Sequence, residues 1–193
     1  ELKYLAGLDE CELAGTLTLP PGSAPVPAVL MLTGSGSHDR NETIFEHKPF
    51  LVIADYLARH GIACLRVDDR GVGNSSRGSA ALNTLTFAED AKAGLAVLQA
   101  HERVDADRVG LIGHSEGGLT AAIAAAAANP GAPPHFIVLL AGPGLDGRGT
   151  LLTQNRAMFE SMGATPQAVN MVVERMAATL DAVEASSSAS EVH

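Results

Sequence analysis

The chain has 193 residues, of which 46% are hydrophobic and 18% are charged, a balance typical of a globular domain and not of a disordered chain. A formal net charge of −9 gives the protein no electrostatic reason to bind nucleic acid or an anionic membrane. Without a run of about 18 apolar residues we expect a soluble protein with no membrane span. The compartment stays open between the cytoplasm and export after loss of an upstream signal. We expect Cys11 and Cys64 to be two free thiols, each in a strand.

Apolar runs and helical spacing alternate along the first three quarters of the chain. The pattern predicts strands at residues 12–19, 28–32, 62–67, 109–112 and 136–140, and helices at 49–60, from 86 onward, and at 116–128. The helix from Thr86 is predicted by a capping box with Glu89. This alternation predicts an α/β fold: a doubly wound, mostly parallel sheet with helices on both faces. Residues 1–149 form the predicted core domain.

The pattern changes after residue 141. A glycine-rich loop at 142–149 is followed by a helical segment at 150–185, in which Thr165 and Pro166 predict a helix start. Four of the five methionines lie there, so the segment is either a lid over an acyl-binding site or an ordinary amphipathic packing face. The serine-rich tail at 186–193 is expected to be disordered.

The most informative motif is Gly-His-Ser-Glu-Gly at residues 113–117, between a predicted strand and a predicted helix. A serine at such a strand–turn–helix elbow has its hydroxyl exposed above the sheet, where it can act as a nucleophile. Ser115 is therefore the predicted catalytic residue. The predicted oxyanion donors are the backbone amides of Glu116, at the helix start, and of Ser35, in the glycine-rich loop after the strand at 28–32. Gly36 is an alternative donor.

The motifs resemble the α/β-hydrolase superfamily, in particular a bacterial branch of acyl and carboxylic-ester hydrolases related to dienelactone hydrolases and serine aminopeptidases. The similar segments cover most of residues 12–150: Leu-Thr-Gly-Ser-Gly-Ser-His-Asp-Arg-Asn-Glu at 32–42, His-Lys-Pro-Phe at 47–50, Arg-Val-Asp-Asp-Arg-Gly-Val-Gly-Asn-Ser at 66–75, Leu-Ile-Gly-His-Ser-Glu-Gly-Gly at 111–118 and Leu-Leu-Ala-Gly-Pro-Gly at 139–144. The resemblance implies a helical insertion after the sixth strand and a catalytic triad in the order Ser, Asp, His.

The acid and base implied by that order follow later strands, which we do not find in the sequence, so we expect the fold to lack its last strands. The residues of this sequence that could replace that acid or base are weaker candidates. His114 is expected to support the elbow more than to transfer a proton, since neighbours leaving a strand point to opposite sides. Asp146 is expected to be a loop aspartate, although some hydrolases place their acid there. His193 is expected to be flexible.

Further residues beside the predicted oxyanion loop are candidates for lining the site: Gly34, Gly36, Asp39, Arg40 and His114. The charged residues at 39, 40 and 42 either stabilise the loop, bind a polar group of the substrate, or form a solvated turn. Asp68, Asp69 and Arg70 are expected to stabilise a turn. No cysteine, histidine or carboxylate spacing indicates a metal site, and no cofactor is expected.

Two functions follow from these residues. The leading hypothesis is hydrolysis of a small-molecule carboxylic ester through an acyl-enzyme on Ser115, with thioesters or peptides as other substrates of the same serine. The alternative is a non-catalytic domain that binds small acyl compounds or a partner. Because the strand at 136–140 is then a bare apolar edge, self-association through it is a further expectation.

Overall fold

The computed structural model describes residues 1–7, 9–128 and 131–186. The predicted tail from residue 187 on, with His193, lies outside the described residues. So do Asn129 and Pro130, which follow the predicted helix at 116–128. The strands are β1 Leu2–Ala6, β2 Cys11–Thr18, β3 Val26–Leu32, β4 Ala63–Val67, β5 Val104–His114 and β6 Phe136–Leu140. The helices are α1 Pro49–Arg59, α2 Thr84–Gln99, α3 Glu116–Ala126, α4 Gly147–Ser161 and α5 Pro166–Ala185.

The strands form one sheet in the order β1-β2-β4-β3-β5-β6. The four strands from β4 to β6 are parallel to one another, and β1 and β2 are added antiparallel at one edge, so the predicted mostly parallel sheet is confirmed. From β3 the chain first passes to β4 on one side and later to β5 on the other. The crevice at such a switch point, beyond the carboxyl ends of the strands, is where open α/β sheets bind ligands.

Helices cover both faces of the sheet, as the alternation of the sequence predicts. The alternating side chains of the central strands divide between two cores. One core packs the face carrying Leu30, Leu65 and Leu111 against α2 and α3. The other packs the opposite face, with Met31 and Ile112, against α1. A strand whose two faces are both buried is apolar throughout, which explains the continuous hydrophobic runs.

Two sequence-based expectations about local structure need correction. The capping box at Thr86 is wrong: α2 begins two residues earlier, and Asn83 caps it with a side chain that accepts from the amide of Thr86. Asparagine is a stronger N-cap residue than threonine, so the helix begins after Asn83 and not after Thr86. Strand β1 has no counterpart in the prediction, because five residues at the edge of a sheet carry little periodic signal. Both Cys11 and Cys64 are free and buried, as expected.

The chain divides into two compact units, Glu1–Gly142 and Pro143–His193. In the second unit α4 and α5 pack against each other. Arg148 near the start of α4 contacts Asp181 near the end of α5 at 2.7 Å, so the two helices are antiparallel. Thr165 caps α5 through the amide of Ala168, with Pro166 in the first turn, as predicted. Asp146 caps α4, which begins at Gly147 within the predicted loop.

Strand β6 lies at the free edge of the sheet, as predicted. Its residues Phe136, Ile137, Val138 and Leu139 are between 40 and 52% exposed. Edge strands of soluble proteins usually carry a charge, a proline or a bulge that prevents pairing with another chain, and β6 has none of these. In the part of the chain that the structure describes, no helix has the length and apolarity that crossing a membrane requires.

Candidate functional site

Ser115 lies at a sharp turn between the end of β5 and the start of α3. Its backbone has φ 51° and ψ −119°, a combination that residues with a side chain rarely adopt and that costs about 1–3 kcal/mol. The turn is held by the Ser115 amide, which donates to Leu140 O at 2.9 Å, and by Gly118 N, which donates to Ser115 O at 2.9 Å. This is the geometry of a nucleophile elbow.

The motif requires its glycines because neighbouring backbone lies close to the turn. A methyl group added at Gly113 would overlap the backbone of Gly117, and one added at Gly117 would overlap the carbonyl group of Leu32. The backbone of β5 at Gly113 and that of α3 at Gly117 therefore lie too close together for a side chain. The backbone of α3 at Gly117 lies equally close to β3. The motif thus has a steric explanation at both glycines.

The Ser115 hydroxyl makes no hydrogen bond to the helix that it precedes, so it is not used as a cap. The first amide of α3 belongs to Glu116, where the helix dipole is positive. The Glu116 carboxylate is turned toward α2 and accepts from Thr84 Oγ1 at 2.6 Å. A developing oxyanion beside Ser115 would thus meet a helix N-terminus.

The loop after β3 approaches the elbow from the other side. A methyl group at Gly34 would lie 3.3 Å from Ser115 Cβ and 3.2 Å from His114 Nδ1. The amide of Gly34 donates to Glu42 Oε1 at 2.7 Å, so it is not available to an oxyanion. Ser35 and Gly36 are exposed, and the Ser35 carbonyl accepts from His38 Nε2 at 2.9 Å.

Asp69 holds both ends of this loop. Its carboxylate accepts from Thr33 Oγ1 at 3.0 Å and from His38 N at 2.8 Å. Burial raises the pKa of Asp69 to about 6, although the bonds from His38 and Thr33 act in the opposite direction. Asp69 adjoins a cavity of about 50 Å³ that is also lined by Thr33, Gly34 and Glu116. A ligand pocket is typically about 300–1,000 Å³, so this cavity has room for a few water molecules only.

His114 points to the same carboxylate as Gly34. Its Nδ1 donates to Glu42 Oε1 at 2.7 Å, and the Glu42 side chain is only 2% exposed. The expected role of His114 as a support of the elbow agrees with this contact, which occupies one of its two ring nitrogens.

Asp39 and Arg40 are engaged in bracing contacts. The Asp39 carboxylate accepts from the amide and hydroxyl of Thr43, at 2.9 and 2.7 Å, and so closes its own turn. Arg40 forms a bidentate pair with Asp68, at 3.1 and 2.7 Å. Burial alone would raise the pKa of Asp68, but the Arg40 guanidinium and the amides of Asn74 and Arg40 outweigh it and hold the pKa below its ordinary value. These contacts correspond to the alternative of the sequence analysis in which these residues stabilise the loop.

The turn after β4 is tied to the rest of the unit through Arg70. Its fully buried guanidinium bonds Asp90 in α2, at 2.7 Å through both Nε and Nη2, and Asp9 at 2.9 Å. The hydrogen bonds from Arg70, Ala80 and Ser79 hold the pKa of Asp9 well below its usual range. Arg70 therefore stabilises the fold, as expected for this turn.

Asp146 and two further histidines, His47 and His135, either have other contacts or lie away from Ser115. Asp146 accepts from Gly149 N at 2.7 Å and serves as a helix cap within the second unit. His47 belongs to a tight turn with Ile44. His135 donates its amide to Val109 O, on the side of the sheet where β6 begins. Of the histidine side chains that hydrogen-bond within the described ranges, none bonds Ser115.

Two carboxylates of the site, the buried Glu42 and the half-buried Asp69, have a sharper role than the sequence indicates. Asp69 bonds the loop at 33–38 at both of its ends. Glu42 bonds the loop once, at Gly34, and the elbow once, at His114. The sequence signal for both is an acidic residue beside a glycine-rich loop, which by itself cannot tell a solvated carboxylate from a buried one.

Comparison with known proteins identifies the family and the fold of the chain. Residues 9–189 match the model of the X-Pro dipeptidyl-peptidase (S15) family. Esterase EstD of Thermotoga maritima is 37% identical over 107 residues, which are 55% of this chain but only 26% of that protein. The α/β hydrolase GrgF from Penicillium sp. sh18 superposes with a TM-score of 0.60 at 21% identity, over 93% of this chain and 65% of its own. The esterase EaEST from Exiguobacterium antarcticum gives a TM-score of 0.57 at 16% identity, over 92 and 68% of the two chains.

The chain therefore spans about a quarter of the length of EstD (26%) and about two thirds of GrgF (65%). Both solved structures share its fold, and EstD shares sequence over the region that includes more than half of this chain. The family match extends over nearly the whole sequence. The protein has the α/β-hydrolase fold and belongs to the X-Pro dipeptidyl-peptidase (S15) family.

Proposed function

We propose that Ser115 is the nucleophile of a hydrolase that cleaves small carboxylic esters through an acyl-enzyme. The observation that carries the proposal is the strained elbow conformation of Ser115, φ 51° and ψ −119°, with a hydroxyl that does not cap α3. Strain of this kind persists where the surrounding structure imposes it, and it concentrates at functional sites. The resemblance to EstD over 107 residues supports an ester as the substrate.

In this proposal Ser115 Oγ attacks the ester carbonyl carbon and transfers its proton to a histidine base. The carbonyl oxygen becomes an oxyanion, which the amides of Glu116 and Ser35 stabilise by hydrogen bonds. Collapse of the tetrahedral intermediate expels the alcohol and leaves the acyl group on Ser115. Water then attacks the acyl-enzyme and releases the acid. The resemblance to the superfamily implies this base and an aspartate that orients it; of the histidine side chains that hydrogen-bond within the described ranges, none bonds Ser115.

A peptide is the second candidate substrate, and the description of the matched family favours it. Peptide and ester hydrolysis share the acyl-enzyme and the oxyanion hole, so the elbow does not distinguish them. The leaving group does: an amine must be protonated as it departs, whereas p-nitrophenolate leaves without a proton. A serine site with a weak general acid is therefore expected to cleave activated esters faster than an anilide.

The test is to incubate the folded chain with a fluorophosphonate probe, with p-nitrophenyl acetate and with glycyl-prolyl-p-nitroanilide, next to the Ser115→Ala variant. Covalent labelling and ester turnover that both disappear in the variant support the proposal. Turnover of the anilide in preference to the ester would assign the peptide. Folded protein that is neither labelled nor active would reject the proposed activity of this chain and favour the alternative, a domain that binds acyl compounds.

A further inference from the structure

We propose that Glu42 is a positioning residue that fixes the predicted oxyanion loop against the nucleophile elbow. The inference deepens the proposed function and rests on it, because the roles of Ser35 and Ser115 in the reaction belong to that function. The geometry itself, one carboxylate shared by two segments far apart in the sequence, does not depend on the reaction.

The contacts of Glu42 converge on a single oxygen atom. Oε1 accepts from Gly34 N at 2.7 Å and from His114 Nδ1 at 2.7 Å. Gly34 directly precedes Ser35, the predicted oxyanion donor, and His114 directly precedes Ser115, the predicted nucleophile. The two groups that must be placed relative to each other are thus each one peptide unit from the same carboxylate.

Burial makes this link strong and specific. Glu42 as a whole is 1% exposed, so its hydrogen bonds form where water competes least. Hydrogen bonds to an ionised acceptor are about twice as strong as neutral ones. Removing the carboxylate would leave the Gly34 amide and the His114 ring without their buried partner, and both would have to move to find another.

The backbone of Glu42 supports a functional reading of the contact. It has φ +50°, in the left-handed region that few residues other than glycine occupy. The surrounding turn imposes this conformation, since Glu42 N donates to Asp39 O at 2.8 Å and Arg40 is anchored to Asp68. Ser115 is strained as well, so two strained residues are joined through the chain Glu42–His114.

Positioning of this kind acts on the transition state more than on substrate binding. The oxyanion exists only after Ser115 has attacked, so a displaced Ser35 amide should lower kcat and leave KM nearly unchanged. A displacement of about 1 Å can cost about 100-fold in rate. A residue that only stabilised the fold would change the active fraction, which an active-site titration measures, and not the turnover of each active molecule.

The experiment combines kinetics with nuclear magnetic resonance on ¹⁵N-labelled chain. The variants are Glu42→Met, which keeps the volume and removes both acceptor oxygens, and His114→Leu, which removes the donor. His114→Asn is the conservative rescue, because its amide nitrogen can take the place of Nδ1. Glu46→Met, at an exposed glutamate of the same loop, is the matched control.

We expect cross-effects between the two segments: Glu42→Met shifts the amide resonance of Ser115, and His114→Leu shifts that of Ser35. Both variants should lower kcat on p-nitrophenyl acetate by about 10–100-fold with KM within about threefold. His114→Asn should recover most of the kcat that His114→Leu loses, and Glu46→Met should stay close to the unmodified protein in both measurements. If Glu42→Met does not fold, the His114 pair decides.

Absence of the cross-effects, or an unchanged kcat in Glu42→Met and His114→Leu, would overturn the positioning role. The positioning role of Glu42 and the proposed function can each fail without the other. Cross-effects in a protein without esterase turnover would retain the coupling and reject the proposed function. Turnover without cross-effects would retain the function and reject Glu42 as a positioning residue.

Discussion

Glu42 and His114 are 72 residues apart in the sequence and meet through a hydrogen bond of 2.7 Å. The bond joins the loop that follows β3 to the elbow that follows β5, two segments at the carboxyl ends of neighbouring parallel strands. Such neighbours place their following loops side by side at one edge of the sheet, where α/β proteins bind their ligands. The topology therefore creates the site, and the buried carboxylate connects its two halves.

The first prediction concerns the closeness of the elbow. Gly117→Ala should destabilise the protein by at least about 2 kcal/mol and abolish labelling of Ser115, because the added methyl group overlaps the backbone of β3. Urea unfolding and a fluorophosphonate probe measure the two effects. Gly144→Ala is the control, since a methyl group there meets no atom within 4 Å. Equal stability of the two variants would contradict the steric explanation.

The second prediction concerns the pH dependence of stability. Burial raises the pKa of Asp69 from 3.8 to about 6, so between about pH 4 and 6 the folded protein keeps a proton that the unfolded chain has lost. The contribution of Asp69 to stability therefore falls as pH rises through that window and is constant above it.

Asp69→Asn should remove this dependence. Relative to the unmodified protein, the variant should gain stability between pH 4 and pH 6.5, by an amount of the order of 1–3 kcal/mol. Chemical denaturation at the two pH values measures the difference, with Asp107→Asn, an exposed carboxyl group of β5, as the control. Parallel pH profiles for the protein and Asp69→Asn would show that the pKa of Asp69 is not raised.

The third prediction concerns the buried guanidinium of Arg70. Arg70→Gln leaves Asp9 and Asp90 without their shared cation, and breaking a buried pair in this way costs about 3–5 kcal/mol. The side chain of Arg70 is 0% exposed. Arg108→Gln breaks an exposed pair with Asp105 and should cost at most about 1 kcal/mol. Similar free energies of unfolding for the two variants would contradict a structural role of Arg70.

The fourth prediction concerns the edge strand. Because β6 is apolar and unprotected, we expect the chain to self-associate with rising concentration. Val138→Lys places a charge on the edge and should weaken that association by about tenfold or more. Sedimentation velocity over a range of concentrations measures it. A chain that is monomeric at all concentrations, or a variant that associates equally, would rule out this edge as the interface.

The sequence is sufficient to predict the features that depend on local order. Strand β6 has the predicted ends, because an apolar run of five residues bounded by turn residues is too short for a helix and is typical of a buried strand. The elbow is predicted equally well, since glycines at 113 and 117 around a serine, between a strand and a helix, encode the turn directly.

The features that depend on contacts between residues far apart in the sequence are harder to predict from the sequence. Thr86 satisfies the capping-box pattern, but Asn83, three residues earlier, caps the helix by accepting from the amide of Thr86 itself. Only the structure shows which of the two residues is the cap. Glu42 is one of several charges in its loop, and its burial depends on a left-handed backbone and on a histidine 72 positions away. The raised pKa of Asp69 likewise follows from burial that no spacing reveals.

The role of Ser115 is tested most directly by identifying, with mass spectrometry, the residue that a fluorophosphonate modifies in the folded chain. We expect a single phosphonyl adduct on Ser115 that is lost in Ser115→Ala and accompanied by p-nitrophenyl acetate turnover. An adduct on another residue, or undiminished turnover in Ser115→Ala, would contradict Ser115 as the nucleophile.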